Sequence, residues 1–220
     1  PAMTGVFFAL DPKGSTLVAT DAHRLVRYSK TDVSCPQKDS FIVPKKPLNL
    51  LKTALPDNED ELKISYNSNH LFIDHGTTEL VCRLIDARFP DYKVVIPAEN
   101  PYKMTVSRTD FQNALRRVNV FSNKSTNLVS LSITGAELQL AAQDIDFSFE
   151  GNERMNCRYD GEDMQIAFNA KFLIELLNAT DSTEVVMRLS TPAKAGIITP
   201  VDKEDSEELL MLAMPLMLNQ

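Results

Sequence analysis

Two parts of the chain share one layout, and this internal repeat constrains the fold more than any other feature. Residues 5–28 read GVFFALDPKGSTLVATDAHRLVRY, and residues 127–150 read NLVSLSITGAELQLAAQDIDFSFE. Each stretch predicts an apolar strand, a turn, a second strand and the start of a third, with Asp21 aligned to Asp144. Residues 41–55 then align with 166–180, where a strand leads into a short amphipathic helix. Repeats of this length indicate duplicated domains rather than a solenoid.

The remaining segments extend each copy into a strand-rich unit. Antiparallel strands are predicted at 62–66, 70–75 and 79–84 in the first copy and at 184–189, 196–199 and 209–216 in the second. Helices are predicted at 48–55, at 107–121 with Ser107 as N-cap, and at 169–179 with Asn169 as N-cap. An extended connector at 88–97 leads to a boundary that gives domains at 1–98 and 99–220. Together these elements predict an α+β fold.

The second copy has an additional N-terminal segment that the first copy lacks. The helix at 107–121 precedes its first strand, whereas the first copy starts almost directly at its strand and the chain opens with Pro1-Ala2. We therefore expect the chain to be a fragment that begins inside a domain.

Composition narrows the class of protein. A hydrophobic share of 43% with 24% charged residues is typical of a soluble globular protein, and no apolar run approaches the roughly 20 residues of a membrane span. Three scattered cysteines favour a reduced cytoplasmic setting over a disulfide framework or a zinc site. A net charge of −7 argues against nucleic-acid binding across a whole face but permits a locally basic surface. The acidic runs 57–61 and 202–208 are interpreted as solvated turns.

The polar segment 20–24, Thr-Asp-Ala-His-Arg, follows an apolar strand and admits three interpretations. Asp21 and His23 could act as an acid–base pair, and with Asp144 they would make the chain a hydrolase. No Ser or Cys nucleophile stands in a recognisable motif, however, and the repeat has Asp146 where the first copy has His23. A structural turn and the wall of a binding pocket are therefore the other two interpretations.

Two further features favour binding over catalysis. The C-terminal segment 214–218, MPLML, contains flexible methionines and a proline that favours an edge position. This composition is typical of an adaptable hydrophobic surface, and a core strand is the alternative. Cations recur near helices of both copies, which would make a stripe that contacts phosphates without reading bases, or else scattered solvated charges. These cations are Lys45, Lys46, Lys52, Arg116, Arg117 and Lys124. A generic β-rich interaction module without a nucleic-acid role also fits these features.

Three segments, VATDAHRLVRY, RLIDARFPDYKVVIP and AMPLML, resemble in order and spacing the bacterial DNA polymerase III beta subunit, the replicative sliding clamp. The resemblance covers essentially the whole chain, as most of the middle domain and the third domain. It implies three similar domains per subunit, with two subunits closed into a ring around duplex DNA. Antiparallel sheets would form the outside, and two short helices per complete unit would line a concave basic inner face formed by the cations named above.

The resemblance also implies a hydrophobic pocket between the two domains, where the polymerase, the clamp loader and repair proteins dock short linear motifs. Its walls would be Met3, Thr20, Ala22, His23, Arg24, Leu25, Pro90, Val95, Ala193, Ala195, Leu212, Ala213, Met214, Pro215, Leu216 and Leu218. The family is non-catalytic, although it is often grouped with DNA-directed DNA polymerases, and it needs no cofactor or metal. Its homodimer interface would use Val120 and Phe121, and we expect the first domain that they would meet to lie outside this chain.

Some positions depart from the family pattern. Ala22 stands where glycine is common, Val94 and Met217 stand where basic residues are frequent, and Asn219-Gln220 extend beyond the usual terminal leucine. These departures would affect which peptide binds best in the implied pocket.

Overall fold

The structure is a computed structural model that describes residues 1–55, 62–76 and 78–218. The acidic run 57–61 and the tail 219–220 lie outside the described residues. The chain divides into two units, one of Pro1–Asp21 with Arg27–Asp91 and one of Ala22–Val26 with Tyr92–Gln220. The boundary after residue 98, which the sequence predicts from the connector at 88–97, stays a prediction.

The first unit consists of antiparallel strands and one helix. Its elements are β1 (Gly5–Asp11), β2 (Gly14–Thr20), β3 (Arg24–Lys30, which begins in the second unit), β4 (Asp39–Pro44), α1 (Lys45–Ala54), β5 (Lys63–Tyr66), β6 (His70–His75) and β7 (Thr78–Arg83). Strand β1 pairs with β2 and β4, and β5, β6 and β7 form a three-stranded sheet. Helix α1 packs on this framework through Leu51, which joins a core of Val43, Leu71, Ile73 and Cys82.

The second unit repeats this order, with elements added in front of it and one short extra strand before the strand that leads into its second helix. Its elements are β8 (Tyr102–Ser107), α2 (Arg108–Val118), β9 (Leu128–Thr134), β10 (Glu137–Asp144), β11 (Phe149–Asn156), β12 (Arg158–Asp160), β13 (Met164–Asn169), α3 (Ala170–Leu177), β14 (Glu184–Leu189), β15 (Gly196–Pro200) and β16 (Glu207–Ala213). Strands β12, β8, β14, β15 and β16 are neighbours in that order, and β11, β10, β9 and β13 form a four-stranded sheet. The sequence-based prediction of an α+β fold is confirmed.

The two helices of the second unit are capped as predicted and share one core. Ser107 Oγ accepts a hydrogen bond from the Asp110 backbone N–H, and Asn169 Oδ1 accepts one from Phe172, which satisfies N–H groups that a helix start leaves free. The helices contact each other through Gln112, whose Nε2 donates to the Ile174 carbonyl and to Asn178 Oδ1. Their apolar faces join both sheets in a single core that includes Phe111, Leu115, Leu131, Leu140, Phe168, Leu173, Leu177 and Met187.

Element ends differ from the sequence-based prediction in several places. Helix α1 begins at Lys45 rather than 48, so Pro47 lies inside its first turn, where a helix has no use for the missing N–H. Helix α2 ends at Val118, and Asn119–Phe121 form a separate 3-10 turn. The connector is not extended throughout, because Tyr92–Val95 form another 3-10 turn. The last strand ends at Ala213 instead of 216.

Residue 22 has a backbone conformation that is unusual for a residue with a side chain. Ala22 has a φ of 73°, in the left-handed region. For a residue with a Cβ, this region costs about 1–2 kcal/mol relative to the right-handed one, and glycine escapes that cost. A glycine at this position, which the family resemblance leads us to expect, would avoid this cost.

We expect Ala22→Gly to raise the free energy of unfolding by about 0.5–1 kcal/mol, because relief of the left-handed strain exceeds the extra entropy that glycine gives the unfolded chain. Urea-induced unfolding followed by circular dichroism measures the change. The matched control is Ala9→Gly inside strand β1, which should destabilise by about 0.5–1 kcal/mol. Equal destabilisation by both variants would contradict this assignment of strain.

A carboxylate fastens the end of β15 to the start of β14. Asp202 Oδ2 accepts hydrogen bonds from the Thr183 backbone N–H at 2.9 Å and from the Thr183 hydroxyl at 2.8 Å. These bonds favour the ionised form and hold the pKa of Asp202 below its ordinary value. A group with a lowered pKa in the folded state stabilises the fold when it is ionised, and this contribution is lost as the pH falls through the folded-state pKa.

We expect Asp202→Asn to lower the melting temperature at pH 7, because an amide oxygen accepts these bonds more weakly than a carboxylate does. The difference from the wild type should shrink as the pH falls below the ordinary aspartate value of 3.8. Melting curves recorded over a pH series measure it. The exposed Asp205→Asn serves as a control in the same loop, and a difference that stays constant with pH would rule out this role for Asp202.

Candidate functional site

The second unit brings together two segments that lie far apart in the sequence. The segment Ala22–Val26 belongs to this unit although it precedes the rest of it by some sixty residues of chain. The Met214 backbone N–H donates to the His23 carbonyl at 2.8 Å, directly after the end of β16. The polar segment after β2 and the C-terminal tail are therefore neighbours.

The side chains of His23 and Arg24 lie against helix α3. The His23 ring is stacked on Phe172 with ring centroids 6.0 Å apart, and the Arg24 guanidinium lies 4.6 Å from the centroid of the same phenyl ring. Arg24 Nη1 also donates to Glu175 Oε2 at 2.6 Å. This arrangement places an apolar ring, an imidazole and a neutralised guanidinium on one surface.

The C-terminal tail leaves the sheet that contains β16 and runs over the four-stranded sheet that contains β13. Met214 and Met217 are exposed, with 41% and 75% of their surface accessible, so the interpretation of 214–218 as a core strand is wrong. The Leu216 backbone N–H donates to the Ala167 carbonyl of β13 at 2.8 Å, an isolated bridge that holds the tail in place. Pro215 lies between these two anchors, where no ladder requires its missing N–H.

A cavity of about 420 Å³ lies beside this tail. Gln165, Ala167, Pro192, Ala193, Leu216, Met217 and Leu218 line it. Ala193, Leu216 and Leu218 were predicted from the family resemblance, whereas Gln165, Ala167 and Pro192 were not. The lining is mainly apolar with one amide, which suits a hydrophobic ligand group held by a few polar contacts.

Other residues predicted as pocket walls occupy different environments. Leu25, Ala195, Leu212 and Ala213 are buried, so their side chains can support a site only from beneath. Val95 is exposed on its 3-10 turn, next to the still more exposed Val94. Met3, Thr20 and Pro90 belong to the first unit, where Met3 and Pro90 are exposed and Thr20 ends β2.

The hydrolase interpretation loses one of its three residues. Asp144 is 3% exposed at the end of β10, and its Oδ1 accepts a hydrogen bond from the Asp146 backbone N–H. It therefore fastens the hairpin that follows β10. Among the described residues, no group of three or more His, Cys, Asp or Glu side chains is arranged to hold a metal ion. Within the same ranges, no helix has the length and apolar character needed to cross a membrane.

The predicted basic residues lie on or near helices in both units. Lys45 and Lys46 open α1, Lys52 is in its last turn, and all three are exposed. Arg116 is exposed in the last turn of α2. Lys124 Nζ donates to the Val120 carbonyl at 3.1 Å, in the loop that follows this helix.

Arg117 is held in an ion pair. Its Nε donates to Glu153 Oε2 at 2.9 Å and its Nη2 to Glu153 Oε1 at 2.5 Å, in a bidentate ion pair with β11. The guanidinium holds the pKa of Glu153 below its ordinary value. Much of the positive charge of Arg117 is therefore neutralised locally.

Val120 and Phe121 belong to a larger exposed group that the sequence analysis missed. This aromatic edge cluster consists of Val120, Phe121, Ile145, Phe147 and Phe149. The Phe147 and Phe149 rings are stacked, and the Phe121 ring lies so close to Gly151 that a Cβ there would collide with it. The cluster adjoins β11, which lies at the end of the described four-stranded sheet and pairs there with β10 alone.

Comparison with known proteins agrees with these observations. Residues 1–91 match the sequence model of the DNA polymerase III beta subunit, central domain, and residues 93–214 match that of the C-terminal domain. The beta sliding clamp of Borreliella burgdorferi is 29% identical over 220 residues, which is 98% of this chain and 55% of that protein. The beta sliding clamp of Chlamydia muridarum is also 29% identical, over 99% of this chain and 58% of that protein.

Solved structures are similar over the same extent. The DNA polymerase III beta subunit of Thermotoga maritima superposes with a TM-score of 0.89 at 28% identity, over 99% of this chain and 58% of that one. The corresponding Borrelia burgdorferi subunit, solved in complex with a natural product, gives 0.91 at 26% identity over 99% of this chain and 57% of that one. The chain thus spans a little over half the length of its relatives. Together the two matched domains place the chain in the DNA polymerase III beta subunit family.

Proposed function

We propose that this chain acts as part of a sliding clamp, the processivity factor of a bacterial replicative DNA polymerase. The observation that carries the proposal is the match of both family domains, in order, to two units that repeat one succession of strands and helix. In the complete protein, two subunits would close around duplex DNA, without chemistry, cofactor or metal of their own. The ring would work in the cytoplasm.

The first part of the proposal is a peptide site formed by the 22–25 segment and the C-terminal tail. Its support is the hydrogen bond that joins His23 to Met214 and the apolar cavity beside Leu216 and Leu218. A mainly apolar groove with few polar groups suits short hydrophobic motifs of the polymerase, the clamp loader and repair proteins. The exposed, flexible side chains of Met214 and Met217 would let one site accept several such motifs.

The second part is a sequence-independent contact with DNA. The exposed cations of α1 and the end of α2 support it, because lysine and arginine attract phosphates without reading bases. Arg116 and Lys124 are the stronger candidates near α2, since Glu153 already neutralises much of the charge of Arg117. Weak contacts of this kind would let the ring slide, while the net charge of −7 limits other nucleic-acid binding.

The third part is the subunit interface around Val120 and Phe121. Its support is the aromatic edge cluster and the outer edge of β11, since exposed apolar groups beside an unpaired strand edge favour association. In the complete protein, the first domain of the other subunit would cover this surface. The contact would be largely apolar, so we infer that it depends little on salt.

Processivity follows from these three parts together. A closed ring cannot leave DNA without opening, and the peptide site tethers the polymerase to it. Tethering raises the effective concentration of the polymerase at the primer end, so that it rebinds before it diffuses away.

We expect His23→Ala to weaken the binding of a sliding-clamp-motif peptide about fivefold to tenfold, because the imidazole forms part of the surface over Phe172. Truncation after Ala213 should weaken binding more, since it removes the whole tail. Isothermal titration calorimetry measures both. The matched control is His70→Ala in strand β6 of the first unit, which should leave the affinity unchanged. Unchanged affinity in both site variants would refute the peptide site.

We expect the double variant Arg116→Ala/Lys124→Ala to bind duplex DNA more weakly and to lower the slope of log K against log salt by about 2, roughly one for each lost phosphate contact. Fluorescence anisotropy with two duplexes of unrelated sequence, at low ionic strength, measures the slope and should give equal losses for both. The control Arg154→Ala removes an exposed cation of β11 that is paired with Glu137. A loss as large in the control would contradict a specific DNA-facing role.

A further inference from the structure

Another cavity, of about 380 Å³, lies within the first unit, where the chain passes from the three-stranded sheet to strand β4. After β7, the Leu84 backbone N–H donates to the Asn69 carbonyl at 2.7 Å, in the turn between β5 and β6. The next residue, Ile85, donates its N–H to the Ile42 carbonyl of β4 at 2.9 Å. These bonds fix the segment that lines the cavity. The described lining shares no residue with that of the cavity beside the C-terminal tail.

Positive charge is in excess along this lining. Arg83, the last residue of β7, and Arg88 line the cavity together with the carboxylate of Asp86, and all three residues are exposed. Among the residues that the structure describes, neither guanidinium has an ion-pair or hydrogen-bond partner. Guanidinium N–H groups bind phosphate and carboxylate oxygens in pairs. On a chain with a net charge of −7, two available arginines at one cavity therefore favour an oxyanion.

The same cavity has aromatic walls. The Phe7 and Phe89 rings are stacked, with centroids 4.8 Å apart and planes 13° apart. Phe7 and Phe41 are only half-buried and both line the cavity, so aromatic surface remains available to a flat ligand group. Ser40 and Ser68 add hydroxyls that can donate or accept a hydrogen bond. Aromatic walls with a few polar groups are typical of small-molecule sites, which occupy about 300–1,000 Å³.

We propose that this cavity binds a small ligand that combines a free phosphate monoester with a flat ring, which is the chemistry of a nucleoside monophosphate. Arg83 and Arg88 would hold the phosphate, and the ring would pack on Phe7 and Phe41. The carboxylate of Asp86 would repel the phosphate and limit its affinity, because like charges at one site oppose each other. The site is distinct from the proposed peptide, DNA and subunit contacts and does not depend on them.

The test titrates the full chain, labelled with 15N, and follows the amide signals of residues 84–89. The probes are adenosine monophosphate, adenosine and inorganic phosphate. We expect the monophosphate to bind roughly tenfold more tightly than either of the others, because it alone makes both contacts. A single-stranded pentadeoxyadenylate without a terminal phosphate should bind more weakly than the monophosphate, because its phosphodiesters carry one charge each, whereas a monoester carries about −1.5 to −2.

Charge variants separate ligand binding from a merely structural role. The double variant Arg83→Gln/Arg88→Gln should weaken binding of the monophosphate roughly tenfold and change binding of adenosine less than about twofold. Asp86→Asn should strengthen binding of the monophosphate about twofold to fivefold, a gain that lost structure would not produce. The control Lys63→Gln removes an exposed cation of β5 in the same unit, outside the described lining, and should change neither affinity. Thermal unfolding shows whether each variant is folded.

Each outcome decides one part of the inference. Equal affinity of the wild type for the monophosphate and adenosine, or no loss in the folded double variant, would refute the phosphate contact. Inorganic phosphate that binds as tightly as the monophosphate would refute the contact with the ring. Tighter binding of the single strand would overturn the assignment to a free monoester. Selective loss with the two arginines, together with a gain in Asp86→Asn, supports the site.

Discussion

The attachment of the 22–26 segment to the second unit is the interaction on which the candidate site depends. One backbone hydrogen bond, from Met214 to His23, joins the residue after the last strand to the turn after β2. Side chains then reinforce the attachment, since Arg24 and His23 both pack on Phe172. Because the backbone of both segments is fixed, the chemistry of the surface follows from few side chains. The methionines of the tail, Met214 and Met217, remain exposed beside these contacts.

Local patterns predicted most of the fold. Alternation of apolar and polar residues predicted strands whose central residues agree with the structure. The N-caps Ser107 and Asn169 marked the starts of two helices, because capping depends on residues close together in sequence. The errors lie where tertiary contacts decide. The apolar run at 209–218 predicts one strand, yet the chain leaves the sheet after Ala213 and is captured by Ala167 of the other sheet. No local sequence pattern shows that two sheets compete for this segment.

The site was predictable in part, and by resemblance more than by pattern. The motif around His23 and the terminal segment pointed to the correct pair of segments, but not to what lies beneath them. Neither Phe172 nor Glu175 was singled out from the sequence, because their roles arise from contact with a residue about 150 positions earlier. The aromatic edge cluster was missed for a similar reason, since Phe147 and Phe149 resemble ordinary strand residues until the sheet edge is known.

The close approach of Phe121 to Gly151 has a consequence for evolution. Any side chain at position 151 would occupy the space of the aromatic ring, so the two positions are sterically linked across the helix end and the sheet edge. Among homologues, a bulkier residue at 151 should occur together with a smaller one at 121, and a single change at either position should be disfavoured. The residues at these two positions, which belong to a surface suited to association, should therefore be replaced together during evolution.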